Sequence, residues 1–402
     1  MKYITADYIF PGAAAPMKNG FILAEDDGTI AAISSAELPP ENNRDANCQL
    51  QIFDGIITPG FVNAHCHLEL SYLKNQIAQG SGLTRFVKEI LAVRNNYSLE
   101  NILQAIDVAE KEMFESGIVA VADIANDDYT FAKKAASKIY FHTLLEAFDI
   151  VKSRAESVFE NCINLSEKLK QVAPHNSNYS IVPHAPYTVT PALFELIETI
   201  AAIDNSIQSI HNQECLAEAQ LFISKSGAMF DFFNNAGTAM QQFEATGKNS
   251  LHSVLPLLNS KCKTLLVHNT FTTKEDIAFA EALHKKLYWC FCPNANLYIE
   301  NALPQFQNFI DANVKCCVGT DSYASNRSLN ILDELKTISK HEPAIPLQTL
   351  LTWATQNGAE YLGIEKTFGS IEVGKKPGLN LIENVDLENL KLTDSSTVRK
   401  IC

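Results

Sequence analysis

The sequence predicts an α/β protein in which a (β/α)8 barrel of the TIM type is combined with a small β-sandwich domain. The chain of 402 residues is long enough for such a barrel with a smaller appendage. Strand-like and helix-like segments alternate over about 300 residues, which is the pattern of βα units around a parallel sheet. Both ends of the chain contain short strand-like runs separated by turns. We therefore assign residues 1–54 and 365–402 to the β-sandwich domain and residues 55–364 to the barrel.

The two terminal segments justify the smaller domain. Apolar runs typical of strands cover residues 2–10, 20–25, 30–34 and 49–53, and the second and third runs are separated by the turn-like sequence Asp26-Asp27-Gly28-Thr29. Near the other end, residues 368–377 return to the same strand-and-turn pattern. We expect these segments to form one domain into which the barrel is inserted.

Eight apolar runs in the central part of the chain predict the strands of the barrel. They cover residues 61–67, 118–123, 139–145, 179–183, 207–211, 264–268, 287–292 and 314–321. Helical periodicity is clearest over residues 99–116, which Ser98 precedes as a candidate N-cap. Residues 347–362 also predict a helix.

Composition and charge narrow the functional classes. With 46% hydrophobic and 19% charged residues, the chain has the composition of a globular protein. Its formal net charge of −14 opposes binding to nucleic acids and anionic membranes, because both partners would be repelled over most of the surface. We therefore expect a small-molecule substrate.

The same composition bears on location and assembly. Pro11 and Gly12 interrupt the first apolar run, so we expect no secretory signal. Ten cysteines, most of them in apolar runs, predict reduced thiols and a cytoplasmic location. Self-association, for example as a homodimer, is compatible with such a barrel.

Histidine or aspartate stands at the end of five predicted strands. In a barrel, the carboxyl ends of the strands carry the loops that build active sites. The sequences at these ends are His65-Cys66-His67, His184-Ala185-Pro186, His211-Asn212-Gln213-Glu214, His268-Asn269-Thr270 and Thr320-Asp321-Ser322. The prediction is that these side chains meet at one end of the barrel.

The spacing of His65 and His67 predicts that both rings lie on the same face of a strand, a geometry that suits a metal ion. Each residue also has a structural alternative: the two histidines could form a satisfied pair, His211 could donate to a backbone carbonyl, and Asp321 could cap the following helix. The position of all four at strand ends favours a shared site. A divalent ion held there would lower the pKa of a water molecule toward neutrality and supply a nucleophile.

The other polar residues at strand ends are candidates for catalysis and substrate binding. Glu214 follows His211 by three residues and could move a proton to a ring nitrogen of the substrate, or it could be a solvated loop charge. His268 could hydrogen-bond the attacking water or the developing alkoxide, and His184 could contact the substrate. Either histidine could instead be structural.

Together these segments resemble the amidohydrolase superfamily, and most closely its chlorohydrolase and deaminase branch, which includes S-adenosylhomocysteine, guanine and aminofutalosine deaminases. The resemblance extends over nearly the whole chain. It is carried by His65-Cys66-His67, Pro183-His184-Ala185-Pro186-Tyr187-Thr188, His211-x-x-Glu214, His268-Asn269-Thr270, Cys292-Pro293-x-Ala295-Asn296, Gly319-Thr320-Asp321-Ser322 and Gly369-Ser370-Ile371-Glu372-x-Gly374-Lys375. The closing segment of that branch usually reads Gly-Lys-x-Ala-Asp-Leu, and this chain departs from it only after Lys375, far from the predicted site.

The resemblance implies that His65, His67, His211 and Asp321 ligate a metal ion. It also implies that Glu214 shuttles a proton, that His268 holds the water and the transition state, and that Asp321 assists in deprotonating the water. Relatives with two metals carry a carboxylated lysine on strand four, whereas the run 179–184 contains no lysine. We therefore expect one ion, zinc or iron.

Substrate contacts are predicted less directly. The segment around Glu69, followed by Phe86 and Arg94, resembles aminofutalosine deaminase more than guanine deaminase, and we take Glu69 as a substrate contact. Phe86, with Ile90 and Val93, equally fits the buried face of an ordinary amphipathic helix. Arg85, Arg94 and Arg154 are candidate partners for a substrate carboxylate, because a guanidinium presents two donors in a fixed fork. Placement on the surface is the alternative for each arginine.

These features predict a metal-dependent hydrolytic deaminase of an amino-substituted nitrogen heterocycle. The favoured substrate is an adenine-like nucleoside derivative of the aminofutalosine, S-adenosylhomocysteine or adenosine type. The same site could alternatively displace chloride or open a cyclic amide, so ammonia, chloride or a new carboxylate as product separates these reactions. A non-catalytic binding protein on the same fold is the alternative from another class, and it predicts no stoichiometric metal.

Overall fold

The computed structural model describes residues 1–12, 14–36, 38–39, 48–173, 178–204, 206–237 and 240–402. The chain forms two compact units. The first consists of Met1–Asn63, Lys111–Val121 and Asn330–Cys402, and the second of Ala64–Glu110 and Ala122–Leu329. Among the helices of the described residues, none combines the length and the apolar character that crossing a membrane requires.

The first unit contains a seven-stranded sheet to which both ends of the chain contribute. Its strands are β1 (Lys2–Ile9), β2 (Met17–Lys18), β3 (Phe21–Ala24), β4 (Ile30–Ser34), β5 (Gln49–Pro59), β14 (Leu379–Glu383) and β15 (Thr397–Lys400). Their order is β15-β14-β5-β1-β3-β4, and β2 pairs with β1. These seven strands form one sheet, and the sandwich arrangement stays a prediction.

Alternating apolar positions account for the core of this unit. Ile4 and Ile9 of β1 and Ile22 of β3 are fully buried, together with Ile57 of β5 and Leu381 of β14. Successive side chains of a strand point to opposite faces, and in β3 every second residue is buried. Residues 55–59 of β5 and 379–382 of β14 are instead buried on both faces.

Eight further strands form two four-stranded sheets. The first sheet contains β6 (Phe61–Cys66), β7 (Ile118–Ala125), β8 (Tyr140–Ala147) and β9 (Asn178–Pro183), and the second contains β10 (Gln208–Asn212), β11 (Thr264–His268), β12 (Leu287–Phe291) and β13 (Cys316–Val318). The pairs from β10 to β13, and β8 with β9, are parallel. Each strand coincides with one of the eight predicted runs, and the largest difference is at β13, which ends at Val318.

The helices follow the strands as expected for βα units. They are α1 (Leu83–Val93), α2 (Leu99–Glu115), α3 (Phe131–Ala136), α4 (Ala155–Val172), α5 (Pro191–Asp204), α6 (Leu216–Ser224), α7 (Ala228–Asn235), α8 (Ser250–Val254), α9 (Lys274–Leu283), α10 (Pro293–Glu300), α11 (Phe306–Asp311), α12 (Ile331–His341), α13 (Leu347–Ala354) and α14 (Gln356–Leu362). In α2 the Ser98 hydroxyl accepts the backbone N–H of Asn101 at 3.2 Å, which confirms the predicted N-cap.

The single helix predicted over residues 347–362 is wrong, because Thr355 separates α13 from α14. Its backbone dihedrals, φ −134° and ψ −79°, are not helical. The Thr355 hydroxyl donates to the carbonyl oxygen of Leu351 at 2.6 Å. This local bond offers the backbone an alternative to a continuous helix, an effect that apolar periodicity does not report.

Candidate active site

Three imidazole rings and one carboxylate meet at the ends of β6, β10 and β13. Nε2 of His65 and Nε2 of His67 are 3.1 Å apart. Oδ1 of Asp321 lies 3.7 Å from Nε2 of His65 and 3.4 Å from Nε2 of His67. A ring nitrogen of His211 completes a group with His65 and His67 in which all ligand atoms lie within 4.8 Å of one another. The structure therefore brings together all four residues that were predicted as ligands.

These separations fit a small cation better than a set of hydrogen bonds. Ligand atoms at about 2.0–2.2 Å from a tetrahedral ion stand roughly 3.3 Å apart, close to the distances between His65, His67 and Asp321. Nδ1 of His211 is 2.7 Å from the carbonyl oxygen of His184, to which it donates. That bond leaves Nε2 of His211 as the nitrogen for a metal.

Burial keeps His67 and His211 in the neutral form that binds metals. It lowers the pKa of His67 to about 3 and holds the pKa of His211 well below its ordinary value, and neighbouring histidines act in the same direction. For Asp321, burial acts to raise the pKa, but the interaction with His65 and the other neighbouring histidines outweighs it, so the pKa lies below its usual range. Neutral imidazoles and an ionised carboxylate are what a divalent cation requires.

The backbone around His65 fixes the position of Asp321. The carbonyl oxygen of His65 accepts the N–H groups of Thr320 at 3.0 Å and of Asp321 at 3.1 Å. Gly319 makes this approach possible, because a Cβ there would lie 2.8 Å from both the Cβ and the carbonyl oxygen of His65. Asp321 itself has a left-handed backbone, with φ 56°.

Glu214 and His268 lie beside the metal ligands. Oε1 of Glu214 is 3.6 Å from Nε2 of His268, and burial raises the pKa of Glu214 to about 7. The buried carboxylate of Glu218 accepts the backbone N–H groups of Gln213 and Glu214, each at 3.1 Å. Glu218 thereby fixes the main chain that carries Glu214, a role that the sequence did not suggest.

A second polar group consists of Glu69, Asn126 and Glu146, and only Glu69 among them was predicted from the sequence. Asn126 donates from its backbone N–H to Oε2 of Glu69 at 2.8 Å and from Nδ2 to Oε1 of Glu69 at 2.9 Å. Its Nδ2 also lies 3.2 Å from Oε2 of Glu146. Oε1 of Glu146 is buried without a hydrogen-bond donor among the described residues. Glu146 lies at the end of β8 as His211 lies at the end of β10, and this strand-end acid is the signal that could have identified it.

Most of these groups, though not His65 and Glu218, line one cavity of about 1030 Å³ in the second unit. One part of its wall is polar and includes His67, Glu69, Glu146, His184, Glu214, His268 and Asp321. Another part is apolar and aromatic and includes Phe86, Ile90, Tyr97, Phe148, Met229 and Phe233. The volume suits a ligand of nucleoside size or larger.

The predicted arginines differ in their positions. The Arg85 side chain is 67% exposed, pairs with Glu89 at 2.8 Å and is not part of the cavity wall. Arg154 lines the cavity, and its guanidinium is 3.0 Å from the carboxylate of Asp149. Arg94 also lines the cavity, and no carboxylate of the described residues lies within ion-pair distance of it.

A buried ion pair supports the segment that carries His65 and His67. Lys134 and Asp123 are both fully buried, and Nζ lies 2.6 Å from Oδ2. The other oxygen of Asp123 accepts the backbone N–H of Leu68 at 2.8 Å. The pair therefore connects α3 and β7 to the residue that follows His67.

Comparison with known proteins places these observations in a family. The sequence profile described as "Amidohydrolase family" matches residues 56–400. Among curated proteins, the 5-methylthioadenosine/S-adenosylhomocysteine deaminase of Moorella thermoacetica is 26% identical over 391 residues, which cover 95% of this chain and 86% of the relative.

Solved structures show the same fold. The aminofutalosine deaminase of Helicobacter pylori, in complex with methylthio-coformycin, superposes with a TM-score of 0.81 at 22% identity and covers 98% of this chain and 94% of that one. An adenosine deaminase from Xanthomonas campestris with bound zinc gives a TM-score of 0.71 at 23% identity, with 97% and 86% coverage. These likenesses imply an α/β fold of the TIM-barrel type.

Proposed function

Because the chain belongs to the amidohydrolase family, we propose that it is a metal-dependent deaminase that hydrolyses an adenine-like nucleoside and releases ammonia. The observation that carries the proposal is the convergence of His65, His67, His211 and Asp321 at one end of a cavity that also contains Glu214. The relatives named as deaminases of adenine nucleosides support the substrate class.

The donor set supports one divalent ion, and zinc is the favoured metal. Three neutral imidazoles and a carboxylate suit zinc, and iron is the alternative. The X. campestris relative contains zinc. The ion, when bound, supplies Lewis acidity that brings the pKa of water toward neutrality. β9, with the sequence Asn178–Pro183, contains no lysine that could bridge a second metal.

Each catalytic residue has a role that follows from its surroundings. Glu214 is buried, and its pKa of about 7 allows it to hold a proton at neutral pH and to deliver it to a ring nitrogen of the substrate. The Asp321 carboxylate accepts a proton from the attacking water. His268 faces Glu214 across 3.6 Å and holds the attacking water by accepting a hydrogen bond from it at Nε2.

The remaining wall of the cavity would bind the rest of the substrate. We propose that Glu69 and His184 contact it, together with Glu146, whose free oxygen requires a donor such as a substrate hydroxyl. Arg154 stays a candidate contact, although Asp149 neutralises it. Arg85 stays a prediction from sequence, and its pairing with Glu89 favours a surface role.

Four further proposals concern architecture and context. Cys66 of β6 forms an isolated parallel bridge with Asp321, and the His211 N–H donates to the His184 carbonyl oxygen at 2.9 Å. These contacts support closure of the eight strands into a barrel. The domain boundaries at residues 54 and 365, the cytoplasmic location and a homodimer are proposals that rest on the sequence alone.

The decisive experiment measures ammonia release by the zinc-loaded protein from adenosine, S-adenosylhomocysteine, aminofutalosine, guanine and cytosine. We expect turnover of at least one adenine nucleoside and none of guanine or cytosine. Glu214→Gln should lower kcat by about 100-fold or more, in the range for loss of a general acid, whereas the exposed Glu195→Gln should not. Release of chloride from a chlorotriazine without any deamination would favour the halide reaction, and the absence of stoichiometric metal would favour a binding protein.

A further inference from the structure

One buried amide at the active site has no part in the reaction described above. Asn296 lies in the first turn of α10, which begins at Pro293, and only 2% of it is exposed. Its side chain makes two contacts with His268. Oδ1 lies 2.8 Å from Nδ1 of the ring, and Nδ2 donates to the backbone carbonyl oxygen of the same residue at 3.3 Å.

These two contacts fix the orientation of the amide. A backbone carbonyl oxygen can only accept hydrogen bonds, so the amide atom that faces it must be the NH2 group. The amide oxygen is then the atom that faces Nδ1 of His268. The reverse orientation would bring two acceptors together at the carbonyl and is excluded for that reason.

The orientation of the amide in turn fixes the proton on the ring. An amide oxygen can only accept, so Nδ1 of His268 must carry hydrogen. In a neutral imidazole the lone pair then lies on Nε2. That nitrogen is the one that faces Glu214, at 3.6 Å, and His268 lines the cavity.

We infer that Asn296 is a positioning residue that holds His268 with its proton on Nδ1, so that Nε2 is the one basic nitrogen the ring presents to the reaction. The inference rests on the proposed function for the identity of that reaction. A ring held in this way accepts a hydrogen bond or a proton at Nε2 and returns it at the same atom, while the bond from Nδ1 to Asn296 persists. The neutral amide provides this control without adding a negative charge beside the metal ligands.

The backbone conformation of His268 shows why a stabilising contact from Asn296 is needed. His268 has φ 71° and the next residue, Asn269, has φ 56°, so two consecutive residues other than glycine are left-handed. This conformation is disfavoured for such residues and persists only where the surroundings determine it. Asn296 contacts both the main chain and the ring of His268, so one side chain stabilises the unusual backbone and sets the ring at the same time.

The direct test is nitrogen NMR of the zinc-loaded protein labelled with 15N in histidine, with the His268 signals assigned by their loss in His268→Gln. We expect a protonated Nδ1 and an unprotonated Nε2 for His268 in the wild-type protein, and a mixture of both tautomers in Asn296→Leu. A ring protonated on Nε2 in the wild-type protein would overturn the inference. This readout does not depend on turnover, so absence of ammonia release from every substrate would reject the proposed function alone.

Kinetics provide the second measurement. Asn296→Leu has a similar volume but neither polar atom, and we expect kcat to fall by about 10- to 100-fold, as for other residues that orient a ligand or a catalytic ring, with KM within about threefold. In a His268→Gln background the same substitution should change kcat by less than about threefold, because its target is gone. Equal loss in both backgrounds would show a merely structural role. Asn308→Leu, on α11 and outside the cavity wall, is the matched control and should leave kcat unchanged. If Asn296→Leu does not fold, the tautomer of His268 in the wild-type protein still tests the inference.

Discussion

The ion pair between Lys134 and Asp123 allows a quantitative test of the second unit. Both side chains are fully buried, with Nζ 2.6 Å from Oδ2. Lys134→Met keeps most of the apolar stem but leaves the Asp123 carboxylate without its cation. Removing one partner of a buried pair costs about 3–5 kcal/mol, because the remaining charge stays desolvated. The bond from Nζ to the Thr143 hydroxyl at 3.1 Å is lost as well, which adds roughly 1 kcal/mol.

The adjacent lysine is a matched control for this substitution. Lys133 pairs with Asp107 at 3.1 Å and with Glu110 at 3.2 Å, but 26% of its side chain is exposed. Solvent screens such pairs, and Lys133→Met should cost at most about 1 kcal/mol. The two variants remove the same charge from neighbouring positions. The difference between their free energies of unfolding therefore measures the effect of burying the ion pair.

The pH dependence provides the sign of the effect. Burial raises the pKa of Asp123, and Lys134 acts against this increase. Without the lysine, the folded-state pKa of Asp123 should rise further above its unfolded value. Stability from such a group is complete below the unfolded pKa and is lost as the pH rises through the folded pKa. Lys134→Met should therefore be less destabilised at pH 5 than at pH 8.

Urea unfolding followed by tryptophan fluorescence measures these differences. The chain has two tryptophans, and Trp289 is fully buried in the second unit. In a Trp353→Phe background, Trp289 reports on the unit that contains the ion pair. If Lys134→Met and Lys133→Met differ by less than about 0.5 kcal/mol at pH 8, the assignment of a large stabilising role to the buried pair is incorrect.

Three further predictions concern pH, packing and metal. Burial raises the pKa of Glu198 to about 7, so the wild-type protein should lose stability as the pH rises from 5 to 8. The variant Glu198→Gln keeps an acceptor for the Asn259 N–H and should lose less stability in the same urea titrations. An equal loss in both proteins would contradict the raised pKa. Gly319→Ala places a Cβ 2.8 Å from atoms of His65 and should cost about 1–3 kcal/mol and weaken zinc binding in a competition assay, whereas unchanged affinity would show that the contact relaxes freely. A chelator should lower the Tm of the wild-type protein, because it removes the metal ion that stabilises the folded state. The variant Asp321→Asn should have a lower Tm before chelation, and its Tm should change little when the chelator is added. An equal change in both proteins would mean that Asp321 does not bind the metal.

Much of this site could be predicted because a catalytic residue at the end of a barrel strand has a recognisable sequence pattern. A buried parallel strand is a short apolar run, and a polar residue that ends such a run is conspicuous. His65, His211, His268 and Asp321 carry this signature, and they converge as expected. Glu146 obeys the same rule but lies outside the prediction, because the predicted third strand ends at residue 145 whereas β8 continues to Ala147.

The residues that act through others left no such signal. Asn296 and Glu218 lie on helices that follow strands, and nothing in their spacing shows which main-chain group they contact. Arg85 is the opposite case, because Glu89 four residues later is the spacing of a helical surface pair. That spacing alone favours a surface position for Arg85 over a place in the substrate cavity.

Backbone conformation is the part of the site that is hardest to predict from the sequence. Gln213, His268, Asn269 and Asp321 all have positive φ values, between 46° and 71°. Each left-handed residue costs of order 1–3 kcal/mol, and glycine would avoid this cost, but glycine at position 268 or 321 could offer neither a ring nor a carboxylate to the site. The strain is therefore kept where a side chain is needed, and hydrogen bonds offset it: Nδ2 of Asn269 donates to the carbonyl oxygen of Cys290 at 3.0 Å. A pattern of apolar residues reports which side chains are buried, whereas these four residues are set by contacts between strands that are distant in sequence.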